Sequence, residues 1–460
     1  CHLFTCDEDF CVLDVNKMCA YQVSPDVAVA ISKLTSSSNA LISEEVVRDL
    51  QRYKLIMNEN ACLGATATGT ELNNKERSSH SLSSITLLLI QKCNMKCIYC
   101  YGNSGEFANR GVMDSQVAFR SVDWLFENSI NSSKININFF GGEPLLNFAL
   151  IKKVVFYAKN KALVSGKNIS FGMTTNGSII SEEILDFIAN ENIDILISFD
   201  GTREYQNANR PFADGVGSYE KVYSNIQVFR SKLPNLTARA TVNEIMDPFL
   251  VKKGIKNAGF IGSHISRVSP VLLGKAAAST TENTPDFDFE KKFFSFNCSE
   301  VDELFLLIRR KEIYSSCPPQ LLMDLAVLSL ERKRYYGCGV GKEMVAISIN
   351  GDVYPCHRFV GMNEFCLGNI FENIGIKNNS YHRASVDSLQ DCRYCWARYI
   401  CGGGCVYCNM VYAADPFRPY SVECNSKKAL YEKIIHHYCQ LTDSDREYLK
   451  DIFNEIKPER

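Results

Sequence analysis

The segment Lys92–Gly102, KCNMKCIYCYG, follows an apolar run, Ile85–Ile90, whose composition predicts a buried strand. Cys93, Cys97 and Cys100 therefore share one loop at a strand end. An iron–sulfur cluster of the four-iron type takes four ligands, so this spacing leaves one iron open to another group. A zinc loop is the other reading of such cysteines. Two features favour the cluster. Tyr99 stands just before the third cysteine, and Gly141–Pro144 (GGEP) directly follows the β-rich run Ile135–Phe140.

Outward from this loop, strand-like runs alternate with helix-like ones up to about Thr281. The strand runs are Ile85–Ile90, Ile135–Phe140, Ile169–Met173, Ile193–Phe199, Thr237–Val242 and Ile265–Val271; Ser115–Asn128, Leu145–Lys161, Glu182–Asn190 and Tyr219–Leu233 are amphipathic. Such alternation indicates parallel β/α units, whose functional residues collect at the C-terminal ends of strands. The motifs fall there: the cysteine loop after the first run, Gly141–Pro144 after the second, Thr174–Gly177 (TTNG) after the third and Ser198–Gly201 (SFDG) at the end of the fourth.

Together these residues resemble the radical S-adenosylmethionine (SAM) enzymes. The resemblance implies an α/β fold with a partial (β/α)6 TIM-like barrel over 85–285 and a [4Fe-4S] cluster on Cys93, Cys97 and Cys100. It also implies SAM held on the free iron and cleaved to a 5′-deoxyadenosyl radical. Gly141 and Gly142 would let backbone approach the ligand, and the Glu143 carboxylate or the adjacent backbone would receive the SAM ammonium. Asn176 would serve the ribose hydroxyls, and Ser198 and Arg210 the carboxylate. Asp200 reads as a turn residue beside Gly201.

Past Cys338 the spacing is the most informative in the chain. Gly351 precedes Cys356 by a fixed short step; then come Cys392-x-x-Cys395, Cys401, Cys405 and, after a gap, Cys424. A pair of zinc knuckles would use similar C-x-x-C pairs. The full pattern behind such a barrel resembles a SPASM domain, which implies one cluster on Cys392, Cys395, Cys401 and Cys424 and another on Cys338, Cys356 and Cys405, three [4Fe-4S] clusters in all. The fullest form of that pattern has a further cysteine just before the first, where this chain has Leu330–Arg334 and none. Cys317 from the amphipathic bridge 286–335, the off-pattern Cys408, or an open iron would complete the second set. His357 and Arg358, beside Cys356, read as partners of the ligand rather than as a catalytic base.

Residues 1–60 read as a small independent unit, of winged-helix character. Strand-like runs at His2–Phe4, Phe10–Val15 and Met18–Val23 precede helical patterns at Pro25–Leu34 and Ser43–Met57. The unit is similar to precursor-peptide recognition elements, where a leader peptide adds as a strand to an exposed edge. Residues 61–84 contain a serine-rich polar stretch and read as a linker; 336–440 would be the SPASM domain and 441–460 a terminal helix.

Composition bounds the rest. In 460 residues, 46% are hydrophobic and the net charge is −2, from 50 basic and 52 acidic residues, so no generic nucleic-acid or membrane surface is expected. No apolar run is long enough to span a bilayer, and the chain is expected to be cytoplasmic. Twenty cysteines in a chain of this length point to metal ligands rather than to a disulfide scaffold, and most lie in the Cys93 loop or from Cys298 onward. The resemblance implies a radical SAM oxidoreductase that matures a ribosomally made precursor peptide with a leader, reduced by flavodoxin or ferredoxin. A thioether crosslink is the first expectation and a carbon–carbon bond close behind. A sulfatase-maturing enzyme that makes formylglycine and a non-catalytic iron–sulfur carrier are the other classes.

Overall fold

A computed structural model describes residues 1–36, 42–56, 81–107, 109–269, 287–313, 317–372, 381 and 385–455. The stretch read as a linker lies outside the described residues up to 80, as do the last residues of the barrel span and the end of the chain.

The chain opens with three antiparallel strands, β1 (His2–Cys6), β2 (Asp9–Asp14) and β3 (Cys19–Val23), side by side in that order. Asp14 shapes the second turn by accepting from the backbone N–H groups of Asn16 (3.0 Å) and Lys17 (3.2 Å). Two helices follow, α1 (Pro25–Ser36) and α2 (Glu44–Arg52); the Ser43 side chain caps the second by accepting from the Val46 N–H. Both faces of the sheet are covered. Val12 and Val23 pack with Val27, Ile31 and Leu50 beneath the helices. Cys11, Leu13, Met18 and Ala20 point the other way, into a core shared with the C-terminal half of the chain. The unit is thus built into the molecule rather than standing free, which is why the run Cys11-Val12-Leu13 is apolar without alternation.

The main sheet begins at β4 (Ser84–Gln91), with β5 (Gly111–Val112) antiparallel at its end. Helices α3 (Ser115–Asn128) and α4 (Phe148–Ser165) flank β6 (Lys134–Gly141), and β7 (Asn168–Thr175), α5 (Glu182–Asn190) and β8 (Ile193–Ser198) follow. Next come α6 (Arg203–Asn209), α7 (Tyr219–Lys232), β9 (Thr237–Val242), α8 (Pro248–Ala258) and β10 (Gly262–Arg267). Strands β4, β6, β7, β8, β9 and β10 are neighbours in sequence order and all parallel, the six-unit barrel wall expected from the sequence. Asp114, Ser181 and Asp247 cap α3, α5 and α8, and Gly166 and Gly259 close α4 and α8 in left-handed conformations at φ 68° and 91°.

Helices α9 (Phe287–Arg310) and α10 (Pro319–Ser329) form the bridge. The chain then returns to the sheet: β11 (Met344–Ile347) lies parallel to β4, with Val345 opposite Ile85, and β12 (Asp352–Tyr354) and β13 (Gly368–Asn369) extend it antiparallel. Among the described residues β10 and β13 end the path, so the barrel is open. Helices α11 (Arg398–Cys401), α12 (Val406–Ala413), α13 (Ser421–Cys439) and α14 (Asp443–Glu455) complete the fold. Among the described residues no helix is long and apolar enough to cross a membrane.

The shared core makes Leu13, fully buried with Phe305, Leu325 and Ile435, a test of how the N-terminal sheet is held. Leu13→Ala is expected to cost about 2–5 kcal/mol, read as a lower midpoint in anaerobic urea unfolding of the full chain. An unchanged midpoint would remove this face from the cooperative core.

Candidate functional site

The cysteine loop leaves β4 and is laced to the segment after α6. The Lys96 N–H donates to the Pro211 carbonyl (2.9 Å), Ile98 to Asn209 (3.0 Å) and Ala213 to Asn94 (3.0 Å). Behind it sits Gly141–Pro144. The Gly142 N–H donates to the Ile90 carbonyl (2.8 Å) and the Glu143 N–H to that of Lys92 (3.2 Å). A Cβ on Gly142 would stand 2.0 Å from the Lys92 oxygen and 2.9 Å from the Cys93 nitrogen. Gly142 is needed because the cysteine loop itself lies against its backbone, a closer constraint than the approach of a ligand expected from sequence.

Glu143 is fully buried. Its Oε1 accepts from the Thr175 hydroxyl (2.7 Å) and the Leu145 N–H (3.1 Å), and its Oε2 from the Asn176 N–H (2.7 Å). Burial raises the carboxyl to about 7 against these three bonds. Both oxygens accept bonds that join the ends of β6 and β7.

Asn176 turns its amide toward the loop: Nδ2 donates to Asn94 Oδ1 (2.8 Å) and lies 3.7 Å from the Cys93 sulfur, while Oδ1 accepts from the Ser178 N–H (2.9 Å). Arg210 is buried with Nη1 3.9 Å from the Cys97 sulfur, its guanidinium over the Tyr99 ring at 5.1 Å and Nε 3.2 Å from Asp200 Oδ1. Burial presses against its charge, and Asp200, Tyr99 and Cys97 hold it firmly protonated. Asp200, read from sequence as a turn residue, is a fully buried carboxylate that also accepts from the Tyr99 hydroxyl and the Thr241 N–H (3.3 Å). The readable signal was the arginine ten residues on from the Asp-Gly pair.

Ser198 is half-buried at the end of β8. It is register partner to Arg239 on β9, which is partner to His264 on β10, so the three share one sheet face inside the barrel. Arg239 Nη2 donates to Ser266 Oγ (3.1 Å).

Burial pushes the Cys93 thiol up to about 12 and that of Cys97 to about 11, so ligation must displace their protons. Tetrahedral zinc would draw sulfurs to about 3.8 Å from one another. Among the described residues no three of the candidate cysteine ligands lie mutually within 4.8 Å. The Asn176 and Arg210 donors turned toward sulfur suit thiolate ligands of an iron–sulfur group.

In the C-terminal half, Cys338, Cys356 and Cys405 feel one another's charge, as do Cys392, Cys395, Cys401 and Cys424. Cys317 is placed differently from Cys356 and Cys405. It is buried in the core that contains Cys392, whereas Cys356 and Cys405 pack around Phe359 and Tyr407. Cys408, one helical turn from Cys405, donates to its thiol and holds it well below the usual range. The two halves meet at Tyr101. Its ring lies 5.8 Å from that of His357, which in turn is 4.9 Å from Phe140, and the Arg358 guanidinium stands over Tyr101 at 5.3 Å. Burial first, then Arg358 and Arg239, push His357 down to about 3, so it stays neutral.

Gly142→Ala is expected to push the loop off its seat and to cut iron retained at Cys93, Cys97 and Cys100. Iron per chain, counted with the C-terminal cysteines replaced by serine, checks this; full retention would show that the close approach is dispensable.

The description "radical SAM superfamily" matches residues 87–246, and that of the SPASM iron–sulfur cluster-binding domain matches residues 338–396. A cysteine-type anaerobic sulfatase-maturating enzyme of Clostridium novyi is 25% identical over 343 residues, 71% of this chain and 88% of that one. The antilisterial bacteriocin subtilosin biosynthesis protein AlbA of Bacillus subtilis is 22% identical over 334 residues, 72% of this chain and 65% of that one. The structure of anSMEcpe with bound AdoMet and the Cp18Cys peptide shares the fold, with a TM-score of 0.63 at 19% identity over 82% of this chain and 100% of that one. The chain carries a radical SAM domain followed by a SPASM iron–sulfur domain.

Proposed function

We propose that this chain modifies a ribosomally made precursor peptide, forming a thioether within it. Residues 1–60 would receive the leader, 85–285 make the radical, 286–335 bridge, 336–440 hold two auxiliary clusters and 441–460 close the chain. The observation that carries the reading is that the two cysteine sets come together, with Tyr101, next to Cys100, against His357 and Arg358, next to Cys356.

When bound, a four-iron cluster on Cys93, Cys97 and Cys100 together with SAM supplies a 5′-deoxyadenosyl radical. The chain's own residues position and shield. Arg210 and Asn176 direct donors at the cysteine sulfurs and so favour their charged form. Ser198 and the backbone beside Glu143 would receive the methionyl group of SAM. Leu88, Phe107 and Phe359 build an apolar wall against which Phe140 and Tyr101 pack, which keeps water from a reactive carbon. At the front, β3 pairs with β2 alone among the described residues, leaving an edge to which an extended leader can add. Cys408 beside Cys405 would complete the set of Cys338, Cys356 and Cys405. A flavodoxin or ferredoxin would supply electrons.

Formylglycine formation is the second reading, favoured by the likeness to the sulfatase-maturating enzyme. The products differ: a thioether removes two hydrogens and keeps the sulfur, whereas formylglycine made from cysteine loses it.

The test is anaerobic reconstitution of the full chain, followed by iron and sulfide analysis and reduction with SAM present. About twelve irons are expected for three four-iron clusters, with 5′-deoxyadenosine formed; Cys93→Ala should abolish the latter. Zinc in place of iron, or no 5′-deoxyadenosine from the intact chain, would overturn the reading.

A further inference from the structure

The arginines inside this barrel divide into two kinds. Arg210 has Asp200 at 3.2 Å, and Arg267 has both Glu290 oxygens at 2.7 Å and Glu423 at 3.4 Å. Arg239 and Arg358 have no carboxylate within 4.0 Å among the described residues. Each is held by a serine hydroxyl instead, Arg239 by Ser266 (3.1 Å) and Arg358 by Ser269 (2.9 Å). Burial and mutual repulsion press on the Arg239 charge, and the nearby groups that act on it are Arg358 and Arg210, both cationic, and the Tyr101 phenol. Such a charge is costly unless something neutralises it.

Its position narrows what that is. Arg239 lies on the inner face between Ser198 and His264, and Arg358 approaches from the C-terminal domain over Tyr101. The uncompensated charge is that of Arg239, since the groups around Arg358 favour its charge; a group that meets both must bridge the barrel and the auxiliary domain. A planar carboxylate suits guanidinium donors and is shared by two sources, the methionyl end of SAM and an acidic side chain of a polypeptide. Arg358 comes from the C-terminal domain, outside the residues that would hold SAM, which favours the polypeptide side chain.

We propose that Arg239, with Arg358, forms a receptor for an aspartate or glutamate side chain of the substrate polypeptide. This rests on the reading of the chain as a peptide-modifying enzyme, and it adds a substrate class: a peptide with an acidic residue close to the residue that is modified. His264, kept neutral by burial and then by Arg239, offers a hydrogen bond without competing for the anion.

The experiment reads the receptor without turnover. The reconstituted full chain is treated anaerobically with phenylglyoxal, which modifies guanidinium groups, and each arginine is followed by peptide mass spectrometry. Three protectants are compared: N-acetyl-aspartate methylamide, N-acetyl-asparagine methylamide and SAM. The aspartate probe should slow modification of Arg239 and Arg358 about tenfold at ten times its Kd, as site occupancy requires, with the asparagine probe inert and Arg309, at the surface on α9, unaffected. Equal effects of the two amides, or none from the aspartate probe, would overturn the proposal. Protection by SAM alone would overturn it too, by assigning these arginines to the cofactor. Absence of 5′-deoxyadenosine would sink the functional reading and leave the protection pattern to decide this one.

Discussion

The buried carboxylate of Asp200 is the constraint on which the rest of the site depends. Taking an ion pair out of water costs several kcal/mol per ion and is offset only by good geometry and further hydrogen bonds. Asp200 has both. One oxygen accepts from Tyr99 on the cysteine loop, and the other meets Arg210 and the Thr241 N–H on β9. Its own N–H donates to Gln206 (2.9 Å), Gln206 donates to Ser218 (3.0 Å), and the Ser218 hydroxyl donates to the Arg210 carbonyl (2.6 Å). The ring closes on itself. It fixes the segment that laces to residues 94–98, and so fixes where the Cys97 sulfur lies. Loss of Arg210 would leave a bare charge in the interior, a penalty of about 3–5 kcal/mol, and would release the loop together with the fold around it.

Much of this architecture is readable from residues. The six parallel strands show as apolar or alternating runs of the right length, and the motif at each strand end falls where the barrel places chemistry. What was not readable has a common cause in long-range pairing. The run Met344–Ile347 is a short apolar segment like many others, and nothing local says that it pairs with β4, some 260 residues earlier as the Ser83–Glu343 contacts measure it. Asp200 passed for a turn residue because an Asp-Gly pair usually is one; its partners are distant in sequence. Cys317 was one of three candidates to complete the set of Cys338, Cys356 and Cys405, and burial places it in the core of Cys392. The two-faced burial of Cys11-Val12-Leu13 is missed by a reading of residues 1–60 as an independent unit, although a sheet with one solvated face would alternate.

Glu143 has a structural task that the motif alone does not reveal. A glutamate in a Gly-Gly-Glu-Pro turn offers a carboxylate, and a cationic ligand makes an obvious partner. The fold spends both oxygens on Thr175, Leu145 and Asn176 instead. It bears on the cysteine loop through the backbone that it joins and through Asn176, whose amide lies against Cys93.

The strands themselves say what kind of space they enclose. Central parallel strands are usually apolar on both faces, and β4 becomes so toward its C-terminal end, where Leu88 follows Ser84 and Thr86 on the inner face and meets the core around Phe359 and Tyr407. The others depart from that habit. On β6 the residues Ile135, Ile137 and Phe139 face the helices while Asn136 and Asn138 alternate with them, bonded to Ser170 and Ser84. On β9 Ala238, Ala240 and Val242 are buried outward, and Thr237, Arg239 and Thr241 take the inner positions. Polar residues at every second position of a parallel strand would be costly if the inner face were packed dry. The alternation is therefore a record of an inner face that is polar along β6, β9 and β10 and apolar beside the C-terminal end of β4. A ligand held there meets hydrogen-bonding groups and cationic charge on one side and hydrocarbon on the other, the arrangement needed to grip a polar backbone while one side chain is kept dry.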